Sequence, residues 1–305
     1  MPDTFYTASP HWAWYIVWYF FVGGIAGGCF FIASLLKLFG RPEDAPVVRT
    51  GYYVAFAGAL LSGLLLTLDL TRPERFWHML IQSNTGRLMF KAWAPMSVGA
   101  WGLACFGLFA GLAAASEFSE QKNLSLAAIR RLARGIPAMV IAGAGTVLGF
   151  FLAGYTGVLL AVTNRPVWAD SNLLGLLFLV SGASTAAGTL ILLGLWRGSA
   201  DRSSLEWLSR FDRGALALEL LVLIAFVASL GSVAKVFLGW WGALLVLGVL
   251  VAGIILPLFL EARQGHSRGT LVRAAALVLA GGLLLRIVVI FSSNQIHVAG
   301  SVVSP

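Results

Sequence analysis

The sequence predicts an all-α, polytopic membrane protein with eight transmembrane helices. Eight apolar stretches carry that prediction: 12–39, 52–68, 92–115, 136–162, 173–196, 215–238, 240–260 and 271–291. A helix rises about 1.5 Å per residue, so roughly 20 residues cross a hydrocarbon core of about 30 Å. Most of the stretches hold no ionisable side chain, and they are apolar on all sides rather than on one face, unlike soluble helices. Composition agrees. With 59% hydrophobic and 11% charged residues in 305, little chain is left for a soluble domain, and residues 1–305 read as one integral membrane domain.

The spans differ in what polar chemistry they carry. The first holds Gly23-Gly24-Ile25-Ala26-Gly27-Gly28, small residues whose default use in a membrane is close helix approach. The second ends on Asp69, directly after an apolar run, where a carboxylate is costly unless paired or wet. A dense loop follows, Thr71-Arg72-Pro73-Glu74-Arg75-Phe76-Trp77-His78-Met79-Leu80, then Thr85-Gly86-Arg87-Leu88-Met89-Phe90-Lys91. Pro73 allows a new helix to begin, and the aromatic rings suit a membrane interface, so the loop predicts a short helix lying on the surface. Its simpler reading is a solvated, aromatically anchored loop, which leaves Asp69 unexplained.

The third span opens at Pro95, and the fourth contains Gly154-Tyr155-Thr156-Gly157. Ser181, Ser184, Thr185 and Thr189 give the fifth a hydroxyl track, although such groups commonly bond their own backbone. In the sixth, Glu219 lies about six residues from the start, or roughly 9 Å, while Lys235 near the end can snorkel. The seventh is featureless. The eighth buries Arg286, about fifteen residues along, at a cost of several kcal/mol unless it meets a partner or water. Intramembrane ionisable groups are functional candidates by default, and a packing clamp from Arg286 to Asp69 or to a carbonyl is the structural alternative.

Basic residues give an orientation. The loops after the odd spans hold Lys37, Arg41, Arg49, Lys122, Arg130, Arg131, Arg134, Arg197, Arg202, Arg210, Arg213, Arg263, Arg268 and Arg273, fourteen of the 21. The opposite side holds six: Arg72, Arg75, Arg87, Lys91, Arg165 and Lys235. The positive-inside rule then puts both termini and the 69–91 loop on the outer, periplasmic face of a cytoplasmic membrane. The residues before the first span lack a basic n-region and a cleavage site, so that span is expected to persist as a mature helix. A net charge of +8 spread over many short loops is an orientation signal, not a nucleic-acid footprint.

Several cofactors are unexpected. Cys29 and Cys105 lie in separate spans without a C-x-x-C, which speaks against an iron–sulfur cluster ligated by this chain. His11, His78, His266 and His297 all fall outside the spans, so no pair clamps a haem between helices. No Walker loop and no dinucleotide fingerprint is present, and no metal site is expected.

The glycine-rich first helix, the stretch from Asp69 to Trp77 with Pro95-Met96-Ser97-Val98-Gly99-Ala100-Trp101, and Gly154-Tyr155-Thr156-Gly157-Val158-Leu159-Leu160 resemble the polysulfide-reductase membrane-subunit family, also called NrfD-like. The resemblance runs over nearly the whole chain. It implies eight helices in two four-helix bundles, no redox metal, and an anchor for a ferredoxin-like iron–sulfur subunit of a molybdopterin oxidoreductase in a bacterial or archaeal membrane. It further implies a menaquinone or ubiquinone bound near the docking side. By resemblance Tyr155 matches a quinone-pocket tyrosine, Asp69 the acidic residue after the second helix, and His11, loosely, a polar residue at the first helix.

The chemistry is consistent. Quinone reduction takes two electrons and two protons, and a phenol and a carboxylate beside the ring can relay the protons. Asp69 and Tyr155 are the expected proton-transfer residues, with His11, Tyr15 and Arg286 completing the quinone site and Glu219 serving as a proton entry. Arg72, Arg75, Trp77, His78 and Arg87 form the expected docking surface. Two other functions compete: a proton-coupled transporter or channel without a redox partner, and a purely structural anchor. The prolines of this chain lie in loops or near span ends and no internal repeat is evident, unlike many transporters. An anchor has no use for Asp69, Tyr155 and Arg286 together.

Overall fold

A computed structural model describes residues 14–122, 132, 134–262 and 267–295. It consists of α1 (Trp14–Phe39), α2 (Ala45–Asp69), α3 (Pro95–Gln121), α4 (Gly135–Ala161), α5 (Leu174–Arg197), α6 (Arg202–Ser229), α7 (Trp240–Ala262) and α8 (Arg268–Ser292). Seven of these are long and apolar enough to cross a membrane, and α6 makes an eighth when counted with its bent continuation, Gly231–Leu238. Among the described residues the only extended pairing is an isolated bridge between Ile81 and Leu88. The chain is a polytopic, all-helical membrane protein.

Lipid tails are as apolar as leucine, so small residues and polar bonds, rather than water exclusion, hold such helices together. The glycines of α1 do this. A Cβ at Gly27 would overlap the carbonyl of Gly149 in α4, and one at Gly28 would come within 2.7 Å of the Gly182 carbonyl in α5. Helix α1 thus packs against α2, α4, α5 and α8. Polar bonds tie the helix ends. At the end carrying the 70–94 loop, Ser229 of α6 donates to Ser171 at 2.6 Å and Trp168 donates to the Val289 carbonyl at 2.8 Å. At the far end Lys37 meets Glu117 at 2.5 Å, with Arg49 at 3.7 Å. Arg268 there donates to the Leu195 carbonyl.

The structure shifts several expected boundaries. Buried Glu117, answered by Lys37 and Arg49, lets α3 run on to Gln121 instead of stopping at 115. The sixth helix is not 215–238: it begins at Arg202, capped by Asp201, whose side chain accepts the Ser203 amide at 3.1 Å. Its first turns bury Leu205, Leu208, Ser209 and Asp212 on one face and expose Arg202, Glu206 and Arg210, a pattern that an all-round apolar stretch omits. It ends at Ser229, where Gly231 takes a left-handed φ of 54° and the chain turns by 109° into a 3₁₀ helix. The middle of α7, Leu244–Ile255, is π-helical, and there Gly253 packs on Gly281 of α8. The short helix expected after Pro73 is present as a 3₁₀ helix, Pro73–Met79, and a hairpin turning at Gly86 follows it.

Candidate functional site

Tyr155 lies on α4 six residues before its end, buried to 7% exposure. Its hydroxyl donates to the Pro95 carbonyl at 2.5 Å, and its ring stacks on Phe151 at 5.2 Å. The bond falls on the first residue of α3, a carbonyl near the mouth of the 70–94 loop. Gly99, one turn further along α3, leaves the space that the ring fills, since a Cβ there would overlap the phenol. The loop is pinned beside it. Trp101 Nε1 donates to the Met89 carbonyl at 2.8 Å, and the Lys91 amide donates to Ser97 Oγ at 3.0 Å. Tyr19 of α1, fully buried, belongs to the same buried core as Tyr155.

Asp69 is the last residue of α2, at the same end, and is exposed. Tyr15, 46% exposed, stands at the start of α1 beside Trp14 and Trp18, which are also exposed. Asp69, Tyr15 and the buried phenol of Tyr155 thus lie at the same end of the bundle as the 70–94 loop. His11 lies outside the described residues. Of the docking candidates, Arg72, Arg75 and Arg87 are exposed and, among the described residues, have no carboxylate within ion-pair distance. Trp77 is 41% exposed and its ring sits 3.9 Å from His78. Close by in the next loop at this end, Arg165 stacks over Trp168 at 4.9 Å and bonds Asn294, and partial burial draws its pKa down.

Arg286 belongs to a second cluster. It is fully buried, and it donates to Ser181 Oγ at 2.9 Å, to the Gly282 carbonyl at 2.6 Å and to the Phe178 carbonyl at 3.4 Å. The Phe178 and Phe21 rings flank its guanidinium at 5.2 and 5.8 Å. Of the two forms of the packing clamp, the one to Asp69 is absent among these partners and the one to carbonyls is present, on Gly282 and on Phe178 of α5. The acid that Arg286 does face is Glu219, which also meets Ser181. With α6 starting at Arg202, Glu219 sits seventeen residues into the helix, roughly 26 Å. The helix begins earlier than the expected span, but its added first turns expose Arg202, Glu206 and Arg210, and Glu219 still lies six residues, roughly 9 Å, beyond Arg213.

Two further buried acids escape the sequence reading. Asp212 accepts from Ser184 at 2.6 Å, and Glu261 on α7 faces Asp212, Ser209 and Arg213. Both acids are fully buried. Asp212 also interacts with Glu219, so the three carboxyls and the hydroxyls of α5 form one polar run between α5, α6, α7 and α8. Among the described residues no group of three or more His, Cys, Asp or Glu side chains is arranged to hold a metal.

Residues 3–299 match the family described as polysulphide reductase, NrfD. Protein NrfD of Escherichia coli is 28% identical, covering 97% of this chain and 99% of its own. A polysulfide reductase chain of Wolinella succinogenes is 28% identical over 93% of this chain and 94% of its own. A selenate reductase subunit of Mesobacillus selenatarsenatis is 25% identical over 72% of this chain and 57% of its own. With nearly its whole length matched, the chain belongs to the polysulphide reductase NrfD family.

Proposed function

We propose that this chain is the quinone-binding membrane subunit of an oxidoreductase, exchanging electrons between a membrane quinone and an iron–sulfur partner that docks on the 70–94 loop. The observation that carries the reading is the buried phenol of Tyr155, held against the first turn of α3 directly beside that loop, in a family whose relatives are named as reductase subunits. The bound quinone, menaquinone or ubiquinone, supplies the two-electron redox chemistry. Tyr155 holds a proton at its hydroxyl, parked on the Pro95 carbonyl, ready for donation to a quinone oxygen. Asp69, exposed at the end of α2, exchanges a proton with the outer water. Tyr15 and the aromatic start of α1 orient the ring, with His11 as a further polar contact.

The run from Glu261 and Asp212 to Glu219 and Arg286 is the proton route from the far end. A molybdopterin subunit completes the assembly. In the purified complex, quinol is expected to bleach the iron–sulfur absorbance within the assay time. A chain that moves protons while co-purifying with no iron–sulfur protein would instead be a channel.

Three results test parts of this reading. Gly99→Ala is expected to push the phenol off Pro95 and lower quinone activity by at least about tenfold while assembly survives; full activity would separate the phenol's position from function. Arg75→Glu is expected to weaken co-purification of the iron–sulfur subunit, and the difference from the wild type is expected to shrink in high salt, because an exposed interfacial charge is screened. For orientation, a cysteine placed at Ser301 is expected to be labelled from outside intact cells. Labelling only after the membrane is opened would move the docking face to the cytoplasm.

A further inference from the structure

We propose that the cavity between the end of α1 and the first turns of α6 binds the phosphodiester headgroup of an anionic membrane phospholipid. The cavity has a volume of about 430 Å³ and lies at the far end of the bundle, away from the 70–94 loop. Its polar wall is made by Arg41, Asp44, Ser203, Glu206 and Arg210. The acids on that wall already have partners. Buried Asp44 accepts from Ser204 at 2.5 Å and from the Arg41 amide at 2.8 Å, and Glu206 accepts from Arg202 at 3.1 Å. The guanidinium groups do not. Arg41 and Arg210 are exposed and, among the described residues, have no carboxylate within 4.0 Å; Arg210 reaches only the Glu206 backbone carbonyl, at 3.4 Å.

Two arginines that line one cavity and, among the described residues, lack carboxylate partners suit a phosphate, because the planar fork matches two phosphate oxygens at once. The rest of the wall selects a lipid over a free anion. Leu35, Leu36 and Phe39 line the other side, with Phe39 81% exposed, and Trp207 stacks on Phe211 at 5.7 Å. These groups sit where α1 and α6 leave the apolar layer, the depth at which tryptophan and headgroups meet. Inorganic phosphate gains nothing from an apolar wall. A phospholipid places its phosphate on the arginines and lets its acyl chains leave over Phe39 onto the outside of α1. Basic pockets between transmembrane helices recognise headgroups in this way.

Native mass spectrometry of the full chain in detergent, titrated with phosphatidylglycerol, tests the proposal. The wild type is expected to retain a tightly held lipid, and Arg41→Gln with Arg210→Gln is expected to weaken that binding about tenfold, roughly what two partly exposed ion pairs provide. A control pair, Arg197→Gln with Arg273→Gln, removes the same charge from the same end outside the cavity and is expected to bind as the wild type. Should the glutamine pair express poorly, Arg41→Lys with Arg210→Lys keeps the charge but loses the fork, and a weakening of about threefold is expected. Four results would overturn the proposal: no weakening in the cavity variants, equal weakening in the control, displacement of the lipid by inorganic phosphate at similar concentration, or equally tight retention of phosphatidylcholine.

Discussion

Tyr155→Phe is expected to lower quinone-coupled turnover by about 10²- to 10⁴-fold, the range for losing a positioned acid or base. The substitution keeps the ring on Phe151 and removes only the hydroxyl that bonds Pro95. Asp69→Asn, which keeps the shape and removes the charge, is expected to act in the same direction. Electron transfer from the soluble subunits to an artificial acceptor should survive in both, because that path does not reach the quinone. The Pro95 bond makes a control necessary, since its loss also loosens the start of α3. Equal loss of both activities would point to failed docking, and full quinone activity in both variants would remove the pair from the mechanism.

The second large effect is expected in the buried run. Arg286→Leu removes a fully buried cation that bonds Ser181 and two carbonyls and acts electrostatically on buried Glu219, and leaving a buried acid without its counter-charge is expected to cost up to about 3–5 kcal/mol. A clear drop in thermal midpoint or in yield is the readout. Arg286→Leu combined with Glu219→Leu should recover most of that loss, because no charge is then left uncompensated. Glu219→Gln, nearly isosteric, is expected to keep the fold and cut proton uptake linked to turnover by at least about tenfold. Unchanged uptake would leave Glu219 a packing acid and close the far-end route. Additive losses in the double leucine variant would show that Arg286 and Glu219 do not act on each other.

Most of the fold is legible in the sequence because a bilayer demands long apolar runs, and these stand out without any knowledge of packing. The same rule produces the errors. Asp212 lies three residues before the apolar window of the sixth span, and Glu261 one residue after that of the seventh, so both read as loop residues. The helices continue through them because Ser184, Ser209 and Arg213 answer the acids across the interface. Arg286 stands out as an expensive cation, but its partners on α5 come from helix rotation, which no apolar run encodes. The Tyr155 bond spans sixty positions to Pro95, and its one local trace is Gly99, a glycine that sequence alone does not distinguish from its neighbours.

The turn after Ser229 also acts on the bilayer. Between Arg213 and Ser229 the α6 surface offers fifteen residues without a cation, roughly 22 Å of rise against an apolar layer of about 30 Å. The 3₁₀ segment beyond turns away by 109°, so it adds little height, and Lys235 within it belongs among the headgroups. Hydrophobic mismatch is therefore expected to thin the membrane along this one flank. Such thinning would draw wet headgroups toward Glu219, which lies ten residues, about 15 Å, from the turn. The helix would then shorten the distance to water by deforming its solvent, a device available only to a protein whose solvent is elastic.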